Sequence, residues 1–302
     1  MKKYYCIVYI YILLFISCSS NNKLPLWDYT INKSKLTIFG SLQAVPRNME
    51  NIIYPIDESI DKAYKKSNTI VFINDPTKKD EYMQLFNKHA YLKNEEISSY
   101  LDKNALNDVK NIFKYSEISK LKPWALEEKL TEMISNRLDL DYSYGTETQL
   151  KMISQQEKKR IIGLEEPIEL IKLYESIPEQ TWIESIILKL KIIKNEDIIK
   201  AFKNLNKNVV IAWKQGNQNY LEYMENQYIR ILSKYFNENE LNIFRKDNFL
   251  NKKKKKIAEK LQELSNIIDT YFVCIDINYL YGQNSIIASL KQKQSPTGTE
   301  VD

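Results

Sequence analysis

Histidine is almost missing from this chain: there is one in 302 residues, alongside three cysteines and six glycines. Each scarcity removes a class of chemistry. A zinc-type catalytic centre takes about three protein ligands, most often imidazoles, and His89 alone cannot supply them. His89 stands in the polar stretch Asn87 to Asn94 and reads as a surface residue. Of the cysteines, Cys6 and Cys18 lie near the start, so Cys274 is left alone in the folded part and no internal disulfide is expected. Its apolar surroundings, Tyr271 to Ile275, mark it as a buried, unreactive thiol rather than a nucleophile. The formal net charge of only +5 argues against nucleic acid as a partner. An uninterrupted apolar run of the roughly 20 residues that a spanning helix requires is lacking too.

The longest apolar run, Tyr4 to Ile16, follows Lys2 and Lys3 and precedes Ser17, Cys18, Ser19 and Ser20. A positive start, a short apolar segment and a small residue before a cut are the layout of an export signal. Residues 1–17 therefore read as a signal peptide. Phe15-Ile16-Ser17-Cys18 resembles a bacterial lipoprotein signal, with Phe15 in place of the usual leucine. The resemblance implies lipid attachment at Cys18, a tether over 18–25, and residence in a bacterial cell envelope, on its periplasmic or outer-surface side. Two or three acyl chains hold a protein at a bilayer where one does not.

The chain as a whole is 43% hydrophobic, which marks it as folded. Short β-branched and aromatic runs predict strands at Leu36 to Phe39, Thr69 to Ile73, Arg160 to Ile162 and Tyr271 to Ile275. Helical spacing predicts helices over 57–66, 123–137, 146–157, 167–176, 179–194, 220–236 and 251–268. Strands spaced by helices predict a mixed α/β fold, with a central, mostly parallel sheet flanked by helices and a helical insertion over one side. The domain spans 26–290, and the polar tail 291–302 is expected to be disordered.

Small residues at strand ends let a backbone approach a ligand, and side chains just beyond the carboxyl ends of strands converge over the sheet edge. Gly40-Ser41-Leu42-Gln43, Ile73-Asn74-Asp75, Gly163-Leu164-Glu165 and the stretch from Asp276 through Asn278 and Tyr279 to Gly282 have this form. Gly40, Ser41, Asp276 and Asn278 are the expected cleft lining. The run Lys252 to Lys256 reads as solvated, with helical structure beginning near Ile257, because cations oppose the dipole at a helix start. A lipid-anchored domain could hold that run against anionic headgroups.

Several of these segments, in order, resemble the TraB/GumN family, which includes the Tiki proteases and is related to the ChaN and erythromycin esterase folds. They are Leu26-Trp27 with Ile38-Phe39-Gly40-Ser41, then Tyr54-Pro55-Ile56, Gly163-Leu164-Glu165, Ala212-Trp213-Lys214-Gln215-Gly216-Asn217, and finally Leu280 with Gly282. The resemblance implies a metal-dependent hydrolase site, but its proposed histidines and strand glutamate are replaced here by Gln43, Ile73 and Tyr279. Only Asp75 and Glu165 keep acidic character; Arg245 and Asn248 echo a family Arg-Asn pair. The expectation is a catalytically degenerate member with no metal cofactor, whose cleft binds a ligand or an unidentified protein partner. The alternative is a hydrolase rebuilt around oxygen ligands, with Asp75, Glu165 and Asp276 holding manganese, magnesium or calcium.

Overall fold

The computed structural model describes residues 24–31, 33–49, 57–245, 248–282 and 284–294. Seven strands occur in it: β1 (Leu26–Ile31), β2 (Ser34–Ser41), β3 (Val45–Pro46), β4 (Thr69–Asn74), β5 (Leu140–Asp141), β6 (Arg160–Glu165) and β7 (Thr270–Asp276). Five form one sheet in the order β1-β2-β7-β4-β6, and β3 pairs with β5. β1 runs antiparallel to β2, with Leu26 opposite Phe39; the other three pairings are parallel. Parallel strands covered on both faces carry near-continuous apolar runs, as β4 and β7 do. This is the expected α/β architecture. The expected signal peptide, Cys18 and most of the expected tether lie outside the described residues, and no helix among the described residues is long and apolar enough to cross a membrane.

Helices from the chain's second half cover the sheet. Leu205, Val209, Val210 and Trp213 of the helix Glu196–Lys214, and Ile257 and Leu261 of the helix Asn248–Leu264, join Phe39, Phe72 and Phe272 in one core. Residues between β4 and the helix Glu179–Lys194 build a second core around Trp124, Leu130, Ile171 and Ile186. A third, smaller one lies around Phe202 and Phe236.

Several local expectations needed correction. Gly163 does not end its strand but sits inside β6, where a Cβ would come within 2.7 Å of the Asp75 backbone nitrogen. The predicted helix over 220–236 is split at Tyr223 into Gln218–Glu222 and Met224–Leu232. The final helix, Ile286–Gln294, continues past Leu290 into the segment expected to be disordered. The helix Glu196–Lys214 was not anticipated, although Asn195 caps it by accepting from the N–H groups of Asp197 and Ile198.

The segment Trp213 to Asn217 fixes the end of the helix Glu196–Lys214 against the sheet. Gly216 takes φ +61° and ends the helix, with Asn217 N–H returning to the Ala212 carbonyl at 2.8 Å. One turn back, the buried Trp213 indole N–H donates to the Gly40 carbonyl at 2.7 Å, clamping the helix end to the carboxyl end of β2. Replacing Trp213 by Phe should cost about 2–4 kcal/mol in denaturant unfolding, because it leaves the Gly40 carbonyl buried without its donor and opens a cavity.

Candidate functional site

The carboxyl ends of β2, β7, β4 and β6 present Ser41, Asp276, Asn74 and Glu165 along one edge. Beyond β2 the chain turns through Leu42 to Ala44 and packs on the start of the helix Thr146–Gln156. Leu42 N–H donates to Thr146 Oγ1 at 2.8 Å, and Gly145 lies so close that a Cβ there would meet the Gln43 carbonyl oxygen at 2.1 Å. Gln43 thus has its backbone held and its side chain exposed.

Asp276, at the end of β7, organises this corner. Its carboxylate accepts from Gln43 N–H at 2.9 Å, and from Asn278 through the backbone N–H at 2.9 Å and the side-chain amide at 2.7 Å. It therefore caps the short helix Ile277–Leu280 and ties it to the β2 loop. Burial pushes its pKa up to about 6, a rise that Glu147 reinforces and these three donors oppose.

Glu165, the last residue of β6, is 3% exposed. Lys253 reaches it from the helix Asn248–Leu264, with Nζ 3.3 Å from Oε2. The contact is an ion pair without hydrogen-bond alignment, and neither Glu165 oxygen has an aligned donor among the described residues. Lys253 Nζ also lies 5.8 Å from the ring centres of both Tyr279 and Phe249, within cation–π range. Burial works against the ammonium, but Tyr279 and Glu165 outweigh it and hold the lysine above its ordinary range. Phe249 in turn stacks on Tyr174, which stacks on Trp124, so the lysine's helix is locked into the second core.

The lysine run is thus not a solvated segment. It is helical from its first member, and Lys253 and Lys254 are buried, because the helix lies across the sheet edge and turns these two inward. Lys252 and Lys255 alone are fully on the outside, and Lys256 pairs with Glu169 at 3.4 Å.

The remaining candidates divide among different tasks. Ile73 is buried in the sheet core. Asp75 caps the turn Pro76–Lys78, accepting from Thr77 N–H at 2.8 Å and Thr77 Oγ1 at 2.6 Å. Gly40 and Ser41 are fully buried and do not line a cleft; the space a Cβ would need at Gly40 is taken by Pro25 and Ile277. The side chains of Arg245 and Asn248 lie outside the described residues. His89 is at the surface, Nδ1 3.3 Å from Glu175. Cys274 is fully buried, and burial pushes its thiol well up. Among the described residues, no three His, Cys, Asp or Glu side chains gather as a metal-holding group. Asp75 and Asp276 are committed to N–H and O–H donors, and Glu165 already faces an ammonium.

Two cavities open beside Asn278. One, of about 190 Å³, is lined by Gln43, Asn206, Tyr228 and Asp276; the other, of about 340 Å³, by Glu225, Ile229, Leu250, Lys254 and Tyr281. Met224, Tyr228 and Asn278 belong to both, so the cavities adjoin. Tyr228 donates to Asn206 Oδ1 at 2.6 Å. Asn206 and Tyr228 were absent from the sequence-based candidates, and Lys253 and Lys254 appeared only within the run considered for headgroup contact. The only signal for the lysines was a charge run whose inward half shows itself once the helix's phase is known.

The family model described as the TraB/PrgY/gumN family matches residues 25–295 of this chain. Searches of curated proteins and of solved structures returned no match.

Two outcomes test the site. The raised Asp276 pKa contributes stability that is fully present below about pH 4 and lost as pH rises through about 6. The stability of the wild type relative to Asp276→Asn, followed by thermal unfolding, should therefore fall by roughly 2–3 kcal/mol between pH 4 and pH 7.5. Lys253→Met should cost about 3–5 kcal/mol by stranding the Glu165 charge, while Glu165→Leu combined with Lys253→Met should recover most of it.

Proposed function

The chain belongs to the TraB/PrgY/gumN family, and from that premise we propose that it is an exported, lipid-anchored envelope protein whose sheet-edge cleft binds a small ligand or partner without a catalytic metal. The observation that carries this reading is the buried Glu165–Lys253 pair. Glu165 is the acidic side chain of the Gly163-Leu164-Glu165 segment, and its nearest charge is an internal ammonium. A divalent cation approaching its carboxylate would meet a like charge about 3 Å from the same oxygen, and displacing Lys253 would leave an unpaired lysine in the interior.

What remains at the edge suits binding. The two adjoining cavities combine apolar walls with a few polar groups, among them Lys254, Glu225, Asn206, Tyr228, Asp276 and Asn278, the composition of small-molecule sites in general. Asp276 acts on the cleft indirectly, by fixing the β2 loop and Asn278 through hydrogen bonds to their N–H groups. Its carboxylate is committed to these donors, and the exposed Glu225 is the carboxylate that lines the larger cavity.

Purified full-length chain should hydrolyse no peptide substrate above background with added manganese, cobalt or zinc, and titration calorimetry should find no stoichiometric binding of these ions. Metal-dependent hydrolysis abolished by Glu165→Gln would overturn the reading. On the binding side, 1-anilinonaphthalene-8-sulfonate should fluoresce in the cleft, and Ile229→Trp, which fills the larger cavity, should remove that portion of the signal while leaving the melting temperature within a few degrees.

A further inference from the structure

The opposite edge of the sheet, where the parallel strands begin, has a different character. The loops that feed β2, β7, β4 and β6 meet there and are tied to one another. Ser34 Oγ donates to the Ser265 carbonyl at 3.1 Å and the Ile267 carbonyl at 2.8 Å. Asp269 accepts from the Asn68 amide at 2.9 Å and Thr69 Oγ1 at 2.7 Å, and faces Arg160 at 4.0 Å. Lys159 Nζ donates to the Ser67 carbonyl at 3.2 Å. These links make one continuous face from four separate stretches of sequence.

Out of that face protrude two adjacent isoleucines, Ile267 at 56% and Ile268 at 70% exposure. Ile268 is the most exposed large apolar side chain among the described residues. Around them the loops and the end of the helix Glu58–Lys66 carry Lys33, Lys35, Lys62, Lys66 and Lys158, all exposed and none in an ion pair among the described residues. Most acidic neighbours are already committed: Asp28 accepts from Thr37 Oγ1 at 2.7 Å, Asp61 pairs with Lys65 at 2.7 Å, Asp269 is held as described, Glu157 accepts from Tyr64, and Glu263 lies on the helix leading in. The expected basic run, Lys252 to Lys256, starts its helix at the other edge and has two members buried.

We propose that this amino-terminal edge of the sheet is a docking surface for an anionic phospholipid bilayer, the lysines facing headgroups and Ile267–Ile268 entering the interface. Cations near an anionic surface and a small apolar tip reinforce each other there, and the tip is what separates a bilayer from a soluble polyanion. The inference is independent of the cleft. Leu24, where the described chain begins, packs at the carboxyl edge near Gly40, whose N–H donates to the Pro25 carbonyl.

Full-length protein held on beads through a carboxyl-terminal tag would be offered fluorescent vesicles of phosphatidylcholine alone or with about 30 mol % phosphatidylglycerol. Uptake driven by the leader is common to all variants, so the readout is each variant's excess for anionic vesicles relative to the wild type. That excess should fall about fivefold for each lysine reversed in Lys33→Glu and Lys158→Glu, and on the order of tenfold in Ile267→Ser/Ile268→Ser. It should disappear at about 0.5 M salt and be unchanged in Lys252→Glu/Lys255→Glu. All replaced side chains are exposed, and melting temperatures would confirm folding. Equal uptake of the two compositions, or an excess insensitive to these changes, overturns the proposal. An excess that needs the lysines but not the isoleucines also overturns it, and assigns the face to a soluble polyanion instead.

Discussion

A carboxylate at the end of β6 and an ammonium from the helix Asn248–Leu264 meet 3.3 Å apart with almost no access to water, and much of the sheet edge is arranged around that meeting. Breaking such a pair from one side is costly because the other charge stays buried, so the helix and the strand end are held in one relative position. Phe249, one turn before Lys253, continues the constraint into the Trp124–Tyr174 stack. Glu165 on one side of the pair belongs to the sheet and Phe249 on the other to the helical core, so the ion pair also joins the two main cores.

A second anchor sits across the edge. Trp213 clamps a helix end to Gly40, and Asp276 collects N–H groups from the β2 loop and the helix that follows β7. The carboxylates of Glu165 and Asp276 therefore serve to neutralise an internal charge or position backbone, and the adjoining cavities are lined by amides, tyrosines and Lys254 together with Asp276 and the exposed Glu225. Those groups can orient a ligand by hydrogen bonds and charge. They include none of the imidazoles that the resemblance implies for an active relative, and this difference motivates the binding role proposed for the cleft.

The two edges of one sheet carry unlike surfaces for a topological reason. Parallel strands put all their starts on one side and all their ends on the other, so loops that are remote in sequence are gathered by direction. At the ends lie Gln43, Asp276 and Glu165; at the starts lie Lys33, Lys66, Lys158 and the isoleucine pair. None of the latter forms a motif in the sequence.

The four parallel strands, most of the helices that separate them, and hence the α/β class were legible in the amino-acid order, because β-branched apolar runs and helical spacing are local signals. The single histidine and the presence of Glu165 were equally plain, being matters of identity alone. What those residues do emerged from the folded arrangement. Gln43 contributes its backbone rather than its side chain, Asp75 caps a turn, and Gly40 makes room for packing, since each role is set by a neighbour from elsewhere in the chain. Lys253 is the sharpest case: within a run of five identical side chains nothing local distinguishes the second from the first. The angle at which its helix crosses the sheet edge makes Lys253 a buried partner of Glu165 and leaves Lys252 in water.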